Sequence, residues 1–264
     1  ELREADIVAP GTRQPQEPSK GIIQCGGDIV VPIDTATFPT WLALIFGAPT
    51  ASVYKIGSAV PSFTLQRKIS DGTNHAYFHY KGLKINTLAA SFANNGELSL
   101  TLGCLGKEET KETTGLTATA LAGIGRFLGE ELTVTANGAT GRVIQLDFNV
   151  ANGLIGDRYV LAGDAKRAGL PARAAAVSGK LQMLLDPSTT DLAHFVAGGE
   201  GAISAALAKT AIGSYTFGFP LVVYGEGVKT IPGPQGMILD APFTAFTRLP
   251  TYTDAITVTW AAAQ

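Results

Sequence analysis

Two histidines four apart, His75 and His79, are the first residues whose type and spacing could do chemistry, because on a helix that interval lets two imidazoles share a metal ion. Their segment, YFHYKGLKI, reads as a strand and has no third ligand nearby, so both are expected to be structural. His194 sits in a helix-like apolar stretch without a serine, cysteine or carboxylate at a recognisable triad spacing. GIGRFLG, from Gly123 to Gly129, has the glycines of a dinucleotide loop out of place: the third comes one residue late and a strand follows. Glu108, Glu109 and Glu112 alternate with Lys107 and Lys111 and read as a solvated loop. Asp34 and Asp186 precede helix-like segments and read as turn or capping residues. Phe63, Phe92, Phe217 and Phe243 alternate with polar residues, which makes them core and not a base-stacking platform. The expectation is therefore no catalytic, cofactor or metal site, and a protein that is not an enzyme.

Composition narrows the class further. The net charge of -2 removes the basic footprint of a protein that grips a phosphate backbone. Only 16% of the residues are charged and 31 are glycine, so the surface relies on neutral polar groups and suits a subunit that buries much of itself against copies. Cys25 and Cys104 show no metal-ligand spacing and are expected as buried free thiols. The richest apolar run, Trp41 to Ala48, falls far short of the ~20 residues a membrane helix needs, so no membrane partner is expected. The chain opens at Glu1 without methionine or a signal-like segment and is expected to be the ordered part of a longer product.

The elements that would carry such a surface occur twice. Leu2 to Asp34 aligns without a gap on Leu154 to Asp186, with Gly11 on Gly163, Gly27 on Gly179 and Asp34 on Asp186. Within it Ile29, Val31 and Ile33 fall on Leu181, Met183 and Leu185, the period-two alternation of a half-buried strand. Each copy continues with a helix-like segment, FPTWLALIFG and TDLAHFVAGG, following a Thr or Ser/Thr cluster able to cap it. An aromatic-rich strand follows, SFTLQRKI answered by SYTFGFPLVVY, and then a closing strand, ELSLTLG after the Asn94-Asn95-Gly96 turn answered by AITVTWA. Between the copies, Glu108 to Glu131 reads as a long arm that reaches a neighbouring subunit and orders there. Leu132 to Val150 reads as a connecting hairpin through Asn137-Gly138. The division expected is 1–150, including the arm at 108–131, and 151–264.

GGDIVVPID followed by FPTWLALIFG, then VPSFTLQRKI, YFHYKGLKINTLAASFANNGELSLTLGCLGKEE and FNVANGLIGDRYVLAGD, resemble the tail tube (major tail) proteins of long-tailed phages. The resemblance implies a mainly β chain of two tandem tail-tube-type β-sandwich or barrel domains, each flanked by one α-helix. It implies a siphovirus-like virion tail assembled in the host cytoplasm, with stacked homotrimeric, pseudo-sixfold rings through which viral dsDNA passes without specific contact. Partners implied are further copies and the tape measure, terminator and distal tail proteins. Four strands per domain, spaced ~4.8 Å and tilted ~45°, would enclose a wall of roughly 50 Å backbone diameter.

On the cleanest strands, Leu98, Leu100 and Leu102 should face the core with Glu97, Ser99 and Thr101 opposite. Ile256, Val258 and Trp260 should likewise face inward, with Thr257 and Thr259 opposite. Thr64, Gln66, Lys68, Glu97, Ser99, Thr101, Thr257 and Thr259 are the candidates for inter-subunit pairing or lumen lining. The competing reading is a β-sandwich carbohydrate-binding or adhesin module, which would carry an exposed aromatic pair or an acidic calcium cluster; neither is visible in the sequence.

Overall fold

The computed structural model describes residues 2–3, 19–121, 123–140, 142–161, 165–184, 198–210, 212–230, 238–248 and 254–263. A short ladder joins β1 (Leu2–Arg3) to β2 (Ser19–Lys20). The first half then holds β3 (Cys25–Pro32), α1 (Phe38–Phe46), β4 (Val53–Lys55), β5 (Phe63–Ser70), β6 (His75–Ala93), β7 (Ser99–Gly106) and β8 (Glu108–Glu112). A single 3-10 turn at Gly129–Glu131 leads to β9 (Leu132–Ala136), β10 (Ala139–Thr140) and β11 (Val143–Ala151). The second half holds β12 (Ala176–Leu184), β13 (Glu200–Lys209), β14 (Gly213–Tyr224), β15 (Val228–Thr230), β16 (Ile238–Ala245) and β17 (Thr257–Ala262). The chain is mainly β, with one helix among the described residues.

Two antiparallel sheets enclose the core. The first runs β3–β7–β6–β11–β12–β16, and β15 extends it along β16. The second runs β9–β13–β14–β17–β4, and the end of β14, Val222 to Tyr224, pairs β16 and so ties the two together. Alternation decides the faces: Val31, Leu100, Leu102, Leu88, Phe92, Leu146, Phe148, Leu181 and Phe243 all point into the core. Phe217 of the second sheet meets Phe92 and Phe148 across it, with ring centroids 5.3 and 5.7 Å apart.

The helix is set by Asp34. Its carboxylate accepts the backbone N–H groups of Ala36, Thr37 and Phe38 and the Thr37 hydroxyl, while Thr37 makes no side-chain cap of its own. The expected Thr cap is thus an aspartate reaching from three residues earlier. Phe38, Leu42, Ile45 and Phe46 form the buried stripe, and Gly47, at φ 105°, ends the helix. The second expected helix and Asp186 lie outside the described residues, as does His194.

The same ladder occurs twice. Val31 faces Leu100 on β7 and Met183 faces Leu239 on β16, with Cys25 opposite Gly106 and Val177 opposite Ala245. The β5–β6 hairpin shifts register between Phe63 and Leu65, and the β13–β14 hairpin shifts between Gly201 and Ile203. By position in this ladder β5 corresponds to β13, β7 to β16 and β8 to β17. The expected matches of SFTLQRKI with SYTFGFPLVVY and of ELSLTLG with AITVTWA therefore do not hold. Period-two alternation reveals that a segment is a strand but not which neighbour it takes.

The expected arm also differs. Glu108–Glu112 is a strand along Tyr77 to Lys81 and no loop. At the far end Phe127 is fully buried, and its flanks bridge Asp34 and Glu97. Between them, Leu116, Leu121 and Ile124 are exposed. At the opposite end of β3, the buried Arg167 donates to the carbonyls of Cys25, Gly106 and Gly156, at 2.6 to 2.7 Å, and fastens the 165–172 segment to both strands.

Candidate channel and assembly surface

The face of the first sheet turned away from the core forms a hollow of about 840 Å³, bordered by residues of five strands. Because side chains alternate, it collects the polar half of each strand. Ala89 and Ser91 come from β6, Ser99 and Thr101 from β7, Asn149 from β11, Ser178 from β12 and Thr244 from β16. These are short neutral groups that leave a smooth floor. Charge on the same face is sparse and leans negative. Asp28 stands on β3, Gln145 Nε2 donates to Asp147 at 2.8 Å, and Lys180 on β12 is held 3.2 Å from Asp240 on β16. At the rim Arg126 pairs with Glu97 at 2.9 Å.

The eight candidate residues separate into three places. Ser99 and Thr101 lie on this floor, and Glu97 lies at its rim bridging Leu128. Thr257 and Thr259 are half-buried on the outer side of β17, which is paired on both edges, by β14 and by β4. Thr64, Gln66 and Lys68 lie on β5, in a separate three-stranded projection with β6 and β8. There Gln66 Oε1 accepts the backbone N–H of Leu116 and lies 3.0 Å from His79 Nε2, while Lys68 sits 5.9 Å over the Tyr77 ring. Since β7 is paired by β3 on one side and β6 on the other, Glu97 to Gly103 has no free edge to offer a neighbour. The expectation of inter-subunit pairing through that strand is corrected: its exposed feature is a face.

The open edge of the first sheet is β3, which pairs only β7 among the described residues. Ile33 N–H donates to Leu98 O, so residues of its parity point toward β7, and the backbone groups of Asp28 and Val30 point outward. Sequence reasoning missed this edge because GGDIVVPID gives strong strand alternation and no sign of its position in the sheet.

The thiols and the buried carboxylate are structural. Cys25 and Cys104 are both free and buried; burial, with a smaller contribution from Asp28, pushes the Cys104 thiol up to about 11, which leaves it protonated and inert at neutral pH. Burial alone would raise the Asp34 carboxyl, but hydrogen bonds from the Thr37 hydroxyl and from the N–H groups of Thr37, Phe38 and Ala36 outweigh it and hold the group below the usual carboxylate range. His75 and His79 lie on β6, and among the described residues no cluster of three or more His, Cys, Asp or Glu side chains could hold a metal ion. No helix of the described residues is long and apolar enough to cross a membrane.

A family model described as phage tail tube protein matches residues 2–245. No curated protein matches the chain.

Proposed function

Because the chain belongs to the phage tail tube protein family, and is thus a structural protein of the virion tail that self-assembles and associates with other tail proteins, we propose that the hollow face of its first sheet lines the tube through which DNA leaves the capsid. The observation that carries this reading is the character of the floor: Ser99, Thr101, Ser178, Asn149 and Thr244, with Lys180 neutralised by Asp240. Basic side chains would hold a polyanion by releasing its counterions, and each contact would slow its passage. A neutral to acidic wall repels or ignores phosphates, as a conduit requires.

The two halves are proposed to be copies of one domain, occupying adjacent positions so that three chains close a pseudo-sixfold ring. The repeated ladder and its matching bulges support this division near residue 151. Seven strands of each chain, from β3 through β16 to β15, contribute to the wall; three chains then give a backbone diameter of roughly 45 Å, which leaves room for a duplex after side chains. Rings would stack and meet the tape measure, terminator and distal tail proteins at the ends of the tube.

A cryo-electron microscopy map of tubes assembled from purified protein tests this directly. The expected map has three chains per ring with Ser99, Thr101 and Ser178 facing the axis. Six whole chains per ring, or those residues on the outer wall, would overturn it.

A further inference from the structure

The second-half hairpin shows how one tube domain covers another. Along β13 and β14, Ile203 stands opposite Phe219, Ala205 opposite Phe217 and Leu207 opposite Tyr215, and all six are buried. The basal pair packs on both halves, where Phe219 meets Phe243 at 5.6 Å and Phe148 at 5.3 Å. The distal residues pack on the other half: Tyr215 meets Phe38 at 5.0 Å and Phe127 at 5.6 Å, and Phe217 meets Phe92 at 5.3 Å. Both outer edges of this hairpin sheet are closed by first-half strands, β13 by β9 and β17 by β4.

The first-half hairpin carries the same ladder without the partner. Leu65 stands opposite Tyr80, Arg67 opposite Phe78 and Ile69 opposite Ala76, the same three pairs counted from the matching bulge. Its basal pair, Leu65 and Tyr80, is packed against the chain's own core, as in the second half. Its distal part is open: Ile69 is 49% exposed, Arg67 is exposed, and Phe78 and Ala76 are half-buried. The outer edges of β5 and β8 are unpaired among the described residues.

Resting on the ring reading, we propose that the distal face around Ile69, Ala76 and Phe78 docks on the second half of a neighbouring copy, as Tyr215 and Phe217 dock on the first half of their own chain. The occupant is a second copy because the chain itself contains the matched pair of surfaces once, intramolecularly, and leaves the donor surface of the other pair free. The composition of the free face fits an interface that forms after folding. Where Phe217 has Val258 beside it on the third strand, Phe78 has Lys111, and where Ala205 is buried, Arg67 is exposed. Those two cations keep the projection soluble before it meets its partner.

The test uses the full chain. Phe78→Lys should lower the thermal melt of the unassembled protein without unfolding it and raise the concentration needed for ring formation by about tenfold or more. Ile69→Lys, at a position half open to solvent, should do the same and guards against misfolding of the first variant. Lys68→Ala, on the opposite face of β5, should assemble normally. A benzophenone photo-cross-linker at position 69 in assembled rings should reach the second half of another chain. Normal ring formation by both lysine variants, or cross-links confined to first halves, would overturn the docking while leaving the tube reading intact. Wild-type protein that forms no rings would overturn the tube reading and this inference together.

Discussion

The β13–β14–β17 and β5–β6–β8 sheets share a hairpin register and a basal bulge, yet the first is paired on both outer edges and covers the core, and the second projects from it. What separates them is the third strand and the tip of the hairpin, not the hairpin ladder. Thr257–Ala262 brings Val258 and Trp260 to its sheet, and Tyr215 stacks on Trp260 at 4.5 Å. Glu108–Glu112 brings only charged residues and a threonine, which suits an exposed edge. One hairpin register therefore serves as an internal seam in one half and an open surface in the other, and side-chain polarity on the third strand and at the hairpin tip decides which.

The largest effect expected from this contrast is on Phe217. Phe217→Ala removes a fully buried ring that touches Phe38, Phe92 and Phe148, and should cost about 3–5 kcal/mol in denaturant unfolding. The ladder-equivalent Phe78→Ala should cost the free subunit less, about 1–2 kcal/mol, because its ring is only partly withdrawn from water. Equal losses would break the comparison.

A smaller but sharper contrast lies between inner and edge strands of the first sheet. Thr101→Pro removes a ladder position flanked on both sides by β3 and β6 and should destabilise by about 3 kcal/mol or more, visible as an unfolded or aggregated product. Val30→Pro deletes an N–H that points away from β7 on the open edge, so the subunit should fold and the ring fail to close. Circular dichroism followed by electron microscopy separates the two outcomes.

A smaller loss than those at Phe217 and Thr101 is expected at the seam itself. Asp34 caps α1 while its carbonyl accepts the Tyr215 hydroxyl, 3.3 Å away, so it joins the helix to the covering sheet. Asp34→Ala should cost about 1–2 kcal/mol at neutral pH. Since the folded carboxyl lies below its ordinary value of about 3.9, its stabilisation is fully present above that pH and is lost as the pH falls through the depressed folded value. The difference between wild type and the alanine variant should therefore shrink below pH ~3.9; a constant difference down to pH ~2 would show that the charge on Asp34 does not contribute.

The strands with clean alternation were legible from sequence: Leu98, Leu100 and Leu102 face the core as expected, as do Ile256 and Val258, and Ser99 and Thr101 face away. So was the Asn137-Gly138 turn, where both residues have positive φ. What escaped has identifiable causes. EGAISAALAK is a strand whose alanines blur its apolar face, and ILDAPFTA hides an interior strand behind Pro242, a residue that ordinarily argues against one. Charge made β8 read as solvent-exposed loop, although edge strands favour charge. The floor of the hollow was half legible, since alternation named its residues on β7 but nothing local indicates that β6, β11, β12 and β16 bring theirs to the same place.

The pairing of β4 with β17 sets Lys55 against Thr257, two strands far apart along the chain. Contacts so distant along the chain close slowly, since the intervening loop must lose its freedom before any ladder bond forms. Until β17 is made, the sheet over Phe38 and Phe92 lacks a member, and the seam is incomplete. Nascent chains on one messenger therefore carry an unfinished first half while they are crowded together, and they should become competent to polymerise only after β17 has been made. This order of events separates the synthesis of the first half from its assembly.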